Sequence, residues 1–204
     1  MEKRIRSIEL SDAEAVRSIY APFVSDNATS FEIEPPDITA IEQRIRDLKD
    51  QYPWLVFEAD GKVLGYAYAS PHRTRHAYQW CVDVSVYIHG LAQHCGVGRA
   101  LYAALFEMLS QQGYVNVYAG ITLPNPASVG LHQSLGFVPV GVYSRVGFKF
   151  GKWHDVVWLH LRLSETPIPT PNLLAAKELF LDERIAAFFQ RQAELARYGS
   201  RSSE

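Results

Sequence analysis

The chain has 204 residues, 48% hydrophobic and 21% charged, with 20 Lys and Arg against 22 Asp and Glu for a formal net charge of −2. That length suits one domain with a well-buried core and an appendage, and the charge balance gives no overall footprint for nucleic acid or an anionic membrane, leaving only a local basic cleft open. No apolar run approaches a membrane span, and the two cysteines, Cys81 and Cys95, make no disulfide framework, so a reducing cytoplasm is expected.

The opening MEKRIRSIELSD carries early charge without an apolar stretch, so no secretory signal is visible, and residues 4–10 predict a first strand. Ser11 opens a helix with Glu14 placed to complete a capping box. Ala15, Val16, Ile19, Tyr20 and Phe23 give that helix a buried face. Residues 27–37 read as a loop or short strand ended by Pro35 and Pro36. Thr39 and Glu42 repeat the capping signal before the stripe Ile41, Ile45, Leu48.

Residues 54–59 and 62–69 are apolar runs joined by Asp60-Gly61, a dipeptide suited to a two-residue hairpin turn. The polar loop SPHRTRHAYQ leads to a strand, WCVDVSVYI, and then to QHCGVGRALYAAL. There Leu101, Tyr102, Leu105, Met108 and Leu109 make an amphipathic helix. A strand over 114–121 follows Gly113. Asn125 as N-cap and Pro126 at the first helical position start a short helix that Gly136 ends. Strands over 138–145 and 156–163 close a mixed α/β (α+β) domain of six or seven strands, residues 1–163. A Pro-rich linker, 164–172, leads to a C-terminal extension, 173–204, with a long helix over 173–198 and a polar tail. Ile185, Phe188 and Phe189 are apolar enough to dock that helix on its own domain or on a partner subunit.

Gly96 and Gly98 precede a helix N-terminus, where unpaired N–H groups and the positive dipole end favour an anion. The P-loop ending Gly-Lys-Ser/Thr is absent, and the dinucleotide fingerprint needs a third glycine where Leu101 stands. The pair alone fits a phosphate cradle or the plain opening of a helix.

Gln93-x-x-Gly96-x-Gly98, preceded by VSVYI, resembles the acetyl-CoA pyrophosphate loop of the GNAT acetyltransferase superfamily. The series TSFEIEPP, YPWLVFEADGKVLGYAYASP, RHAYQW, SVYI, LPNPASVGLHQSLGF and GFKFGKWHDV is similar to its phosphinothricin N-acetyltransferase group, over roughly Arg4 to Leu163. The resemblance implies the GNAT fold, a mostly antiparallel sheet flanked by helices. It implies transfer of an acetyl group from acetyl-CoA to the primary amine of a small amino acid or analogue (phosphinothricin, methionine sulfoximine or methionine sulfone) by direct attack in a ternary complex. A peptide N-terminus or another small amine is the alternative acceptor. A non-catalytic acyl-CoA-binding module is the alternative of a different class, and a homodimer is the usual assembly.

The resemblance also assigns residues. Val86, Tyr87 and Ile88 pair with the pantetheine arm, and a backbone N–H there faces the thioester oxygen. His94, Cys95, Gly96, Val97, Gly98 and Arg99 cradle the diphosphate, and Asn125 contacts the cofactor. Asp83 is the candidate base, on one strand face with Ser85 and Tyr87. The herbicide-detoxifying members carry Glu there, so this chain's carboxylate is one methylene shorter and a bridging water is one way to close the gap. An acid hydrogen-bonded for structure is the other reading of Asp83. His132 occupies the position from which the family delivers or relays a proton to the leaving thiolate, against a purely structural histidine. Arg73, Arg75 and Tyr78 are candidates for the acceptor's carboxylate, Phe31 for its side chain, and GFKFGKWHDV adds Lys149 or His154 to the pocket. His72 with His76, and His89 with His94 and Cys95, lack a second ligand cluster or metal-type spacing, so no metal is expected.

Overall fold

The computed structural model describes residues 1–165, 170 and 172–199. Most of the predicted Pro-rich linker and the end of the polar tail therefore lie outside the described residues. Among the described residues seven strands form one sheet: β1 (Lys3–Ser7), β2 (Trp54–Ala59), β3 (Lys62–Pro71), β4 (Cys81–Ile88), β5 (Asn116–Thr122), β6 (Val138–Lys149) and β7 (Lys152–Arg162). Their spatial order is β1-β2-β3-β4-β5-β7-β6. Every pairing is antiparallel except β4 with β5. The β2–β3 hairpin turns at Asp60 and Gly61, with φ of 46° and 76°, as a two-residue loop of this hand requires.

Helices cover both faces. Against one lie α1 (Ala13–Ser25) and α2 (Ile38–Leu48), whose Val16, Ile19, Ile41 and Ile45 pack on Trp54, Val56 and Tyr66. Against the other lies α3 (Val97–Gln112), with Leu101, Leu105, Met108 and Leu109 buried on Leu55, Phe57, Val82 and Val84. The short α4 (Pro126–Ser134) starts as the sequence predicts, with Asn125 Oδ1 accepting the Ser128 N–H at 3.1 Å. No helix among the described residues is long and apolar enough to cross a membrane.

Five expectations about the elements change. The first strand stops at Ser7, and the capping box is Glu9 with Asp12 rather than Ser11 with Glu14. Asp12 wins because it is buried in a fork with Arg6, at 2.7 and 2.8 Å, while also accepting the Glu9 N–H; Ser11 is exposed. The second helix is capped by Asp37, whose Oδ1 accepts from Ala40 N at 2.8 Å, and Glu42 instead pairs with Arg46. The last two strands run further than expected and meet at a left-handed Phe150-Gly151 turn, so GFKFGKWHDV is the tip of a hairpin. The C-terminal extension is broken into α5 (Ala176–Leu179) and α6 (Glu183–Leu195) because Asp182 accepts the Arg184 N–H and starts a new helix.

That extension joins the main core of its own domain. Ala176, Ile185, Phe189 and Ala193 are buried in the cluster that contains Ile5 and Leu105, whereas Phe188 is only half-buried. The fully buried Gln112 fastens its start, donating to the carbonyls of Gln51 and Leu174 at 2.8 and 2.7 Å. At the far edge of the sheet, β6 leaves Val138, Val140, Val142, Tyr143, Val146 and Phe148 at least half exposed.

Candidate active site

The site arises where the sheet comes apart. β4 pairs with β5 only from Cys81 to Asp83, opposite Asn116 to Tyr118. Beyond that point the two strands leave a cleft of about 60 Å³ between Val84, Ser85, Val86 and Tyr87 on one side and Ala119, Gly120, Ile121 and Thr122 on the other. A free strand edge of this kind can pair with an extended ligand. The cleft opens on either side into a larger cavity, and Thr29 lines all three spaces.

The cavity on the α3 side, about 470 Å³, is lined by Val86, Tyr87, Ile88, His94, Gly96, Val97, Gly98, Arg99 and Asn125. The structure thus brings together the residues expected around the cofactor, with one exception. Cys95 does not line this cavity; it packs toward the core, and its carbonyl accepts the Arg197 N–H at 2.7 Å. His94 and Gly96 both have left-handed backbones, φ 60° and 81°, and such a turn directs successive N–H groups to one side. Gly98 serves close packing: a Cβ there would lie 3.2 Å from Leu131 of α4. These features fit a diphosphate at the start of α3 and an acyl arm running along β4 into the cleft.

Asp83, Ser85, Gly120, Trp158, Thr29 and Phe31 line the other cavity, of about 510 Å³. Asp83 faces outward from the valine-rich strand on the α1 side, as its alternation predicts. Burial pushes its carboxyl above the ordinary carboxylate range, while the hydrogen bond to His72 and the Arg73 charge pull it back. His72 Nδ1 lies 2.6 Å from Asp83 Oδ1. Gly120 makes room for the Trp158 ring, which a Cβ would meet at 3.3 Å. Phe31 likewise packs against Gly147 of β6, where a Cβ would collide with its ring.

Arg73 and Tyr78 do not line the cavity: the Arg73 guanidinium lies 5.9 Å from the Trp158 ring centre and donates to the His72 carbonyl at 2.7 Å, and Tyr78 stands against His72 at 6.2 Å. Arg75 begins the short turn that carries Tyr78 and does not line the cavity. Lys149 and His154 do not line it either: both are buried, Lys149 donating to the carbonyls of Val24 and Ser30 at 2.6 and 2.8 Å. Their hairpin contributes Tyr143 and Val146 instead.

His132 lies under the cleft, 3% exposed. Its Nδ1 is 2.8 Å from the Ser128 carbonyl and its Nε2 is 3.1 Å from the Tyr102 hydroxyl. Burial pushes its pKa down, so the ring is neutral near pH 7.

Sequence reasoning missed His72, Thr29, Tyr102 and Trp158. Extending the period-two alternation of β3 past Pro71 places His72 on the Asp83 face, since Ser70 pairs with Asp83 and the His72 N–H reaches the Cys81 carbonyl.

The family described as acetyltransferase (GNAT) domain matches residues 5–158. A phosphinothricin N-acetyltransferase of Streptomyces viridochromogenes is 39% identical over 152 residues, 74% of this chain and 83% of that protein. An L-methionine sulfoximine/L-methionine sulfone acetyltransferase of Pseudomonas aeruginosa is 36% identical over 169 residues, 81% of this chain and 98% of its own length. Among solved structures, a GNAT superfamily phosphinothricin acetyltransferase from Sinorhizobium meliloti in complex with AcCoA aligns with a TM-score of 0.77 at 32% identity, over 81% of this chain and 90% of that one. With the split sheet, the glycine turn before α3 and this likeness over most of its length, the chain belongs to the GNAT acetyltransferase family.

Proposed function

We propose that this enzyme moves an acetyl group from acetyl-CoA to the primary amine of a small amino acid or analogue of the phosphinothricin, methionine sulfoximine or methionine sulfone type. The observation that carries the reading is the position of Asp83: it lines a walled cavity that the β4–β5 cleft joins to the groove in front of α3. Bound acetyl-CoA supplies the thioester carbon. Asp83 takes the proton from the acceptor ammonium, and the unpaired β4 edge offers the Val86 N–H to the developing oxyanion, the Tyr87 N–H being turned toward β3. Arg73, over the ring of the cavity-lining Trp158, is the cation proposed to meet an acceptor carboxylate.

A panel of amines assayed for release of free CoA thiol tests the assignment. Turnover of the amino-acid analogues is expected. Turnover of peptides alone, or cofactor binding without turnover of any amine, overturns it. Asp83→Asn should lower kcat by roughly 10²–10⁴-fold with the acetyl-CoA KM held.

Assembly as a homodimer belongs to the same proposal and is supported by the long, apolar, exposed edge strand β6, a surface that soluble proteins ordinarily cover. Light scattering on wild type and on Val140→Lys tests it. The unpaired thiols of Cys81 and Cys95 fit a reducing, cytoplasmic setting.

A further inference from the structure

We infer that His72 is the positioning residue that lets a carboxylate as short as Asp83 serve as the base, by donating its Nδ1–H to Oδ1 and leaving Oδ2 to the acceptor; this inference rests on the acetyl transfer proposed above. An aspartate in place of glutamate gives up one methylene of reach and keeps a freely turning side chain. A fixed partner at 2.6 Å removes that freedom.

The histidine is itself held. Its backbone N–H bonds to the Cys81 carbonyl beside the end of β3, and its ring stacks on Tyr118 at 4.4 Å, with Trp158 and Tyr78 edge-on at 6.1 and 6.2 Å. Its side chain is 12% exposed against 28% for Asp83, and only Asp83 of the two lines the acceptor cavity. The order from the cavity inward is therefore acceptor, carboxylate, imidazole. A carboxylate on Nδ1 fixes the tautomer, because two lone pairs do not approach to this distance without a proton between them.

The groups around the pair leave the carboxylate to be governed by His72 and by the Arg73 charge. Cys81, Tyr68 and Tyr118 are pushed up by burial and stay neutral, His160 is pushed down, and Tyr78 contributes its ring edge. In the transfer, an N–H bond of the acceptor ammonium breaks and its electron pair forms the C–N bond to the thioester carbon; the C–S bond then breaks and a second N–H proton ends on the departing CoA thiolate. The first proton bonds to Asp83 Oδ2 and leaves to water after the amide departs. The Nδ1 proton stays on His72 throughout.

The test compares His72→Phe, which keeps a stacking ring without the donor, with His72→Asn, which keeps an N–H near the Nδ1 position. For His72→Phe, kcat should fall about 10- to 100-fold, part of what a general base contributes, with the acetyl-CoA KM held. The acid limb of its kcat/KM profile should move to higher pH, because the carboxyl loses the bond that pulls it down. His72→Asn should keep the wild-type limb and most of the rate, and adding Asp83→Glu to His72→Phe should restore part of the loss. An unmoved limb and rate in His72→Phe, or equal impairment in both single variants, overturns the inference.

A second measurement needs neither turnover nor a folded variant at position 72. Nitrogen-15 spectra of the wild-type histidine rings should show His72 protonated at Nδ1, and that signal should shift in Asp83→Asn. An Nε2–H tautomer for His72 overturns the inference. Wild type that acetylates no amine yet shows the Nδ1–H tautomer retains the pair and overturns the proposed function instead.

Discussion

The Tyr102 hydroxyl and His132 Nε2 share a hydrogen bond of 3.1 Å between two buried side chains beneath the β4–β5 cleft. The Ser128 carbonyl takes the Nδ1 proton, so Nε2 is the acceptor and Tyr102 the donor. The one N–H of this neutral imidazole is thus held by the Ser128 carbonyl, and both His132 and Tyr102 line the cleft. Tyr102→Phe should therefore strand a buried nitrogen at a cost of about 1–3 kcal/mol, seen as a Tm several degrees lower. A Tm equal to wild type contradicts this bonding pattern.

His132 also predicts a pH dependence. Its folded pKa lies below the ordinary histidine value near 6.5, so the unfolded chain binds the proton first as pH falls. The stability it contributes is complete above about pH 6.5 and is lost as pH drops through its folded pKa. Thermal melts between pH 7.5 and 5 should show Tm falling more steeply for wild type than for His132→Gln. Parallel curves count against it.

Lys149 holds the acceptor loop in place. Its buried ammonium bonds to the carbonyls of Val24 and Ser30, on either side of Thr29, and Phe31 follows directly. Lys149→Met keeps the volume of the stem and removes both bonds, leaving two buried carbonyls unsatisfied. A loss of roughly 1–3 kcal/mol is expected, together with a several-fold rise in the acceptor KM while the acetyl-CoA KM holds. Equal changes in both KM values remove the selective role.

The C-terminal extension should be a stabilising part of the domain. Phe189 is 4% exposed in the core cluster shared by α3 and β1. Phe189→Ala should cost about 3–5 kcal/mol, measured by urea unfolding at unchanged m-value. A change below about 1 kcal/mol indicates that the helix is detached in solution.

Local chemistry made much of this fold readable from residues alone. Asp60-Gly61, Asn125-Pro126 and the Leu101 stripe each fix their own element, and all three stand where expected. The groove residues were legible through the resemblance carried by Gln93, Gly96 and Gly98, and all but Cys95 line one cavity. What stayed hidden depends on pairs distant in sequence. Glu58 holds Arg6, which forks Asp12 into the capping box, across 52 positions, and Lys149 reaches Val24 across 125. His72 looked only like a metal-ligand candidate paired with His76, because its partner sits on the next strand, and Trp158 looked like an ordinary strand residue until Gly120 opened a place for its ring.

The bond from the Arg197 N–H to the Cys95 carbonyl, with Lys3 Nζ on the Ala196 carbonyl at 2.7 Å, has a consequence for how the protein is made. The turn at His94 to Gly96 is translated well before Arg197, which braces it from outside. A ribosome must release residue 197 before that turn is braced, so nascent chains arrested shortly before it should bind acetyl-CoA more weakly than released chains. The turn before α3 thus depends for its brace on a segment synthesised much later than itself.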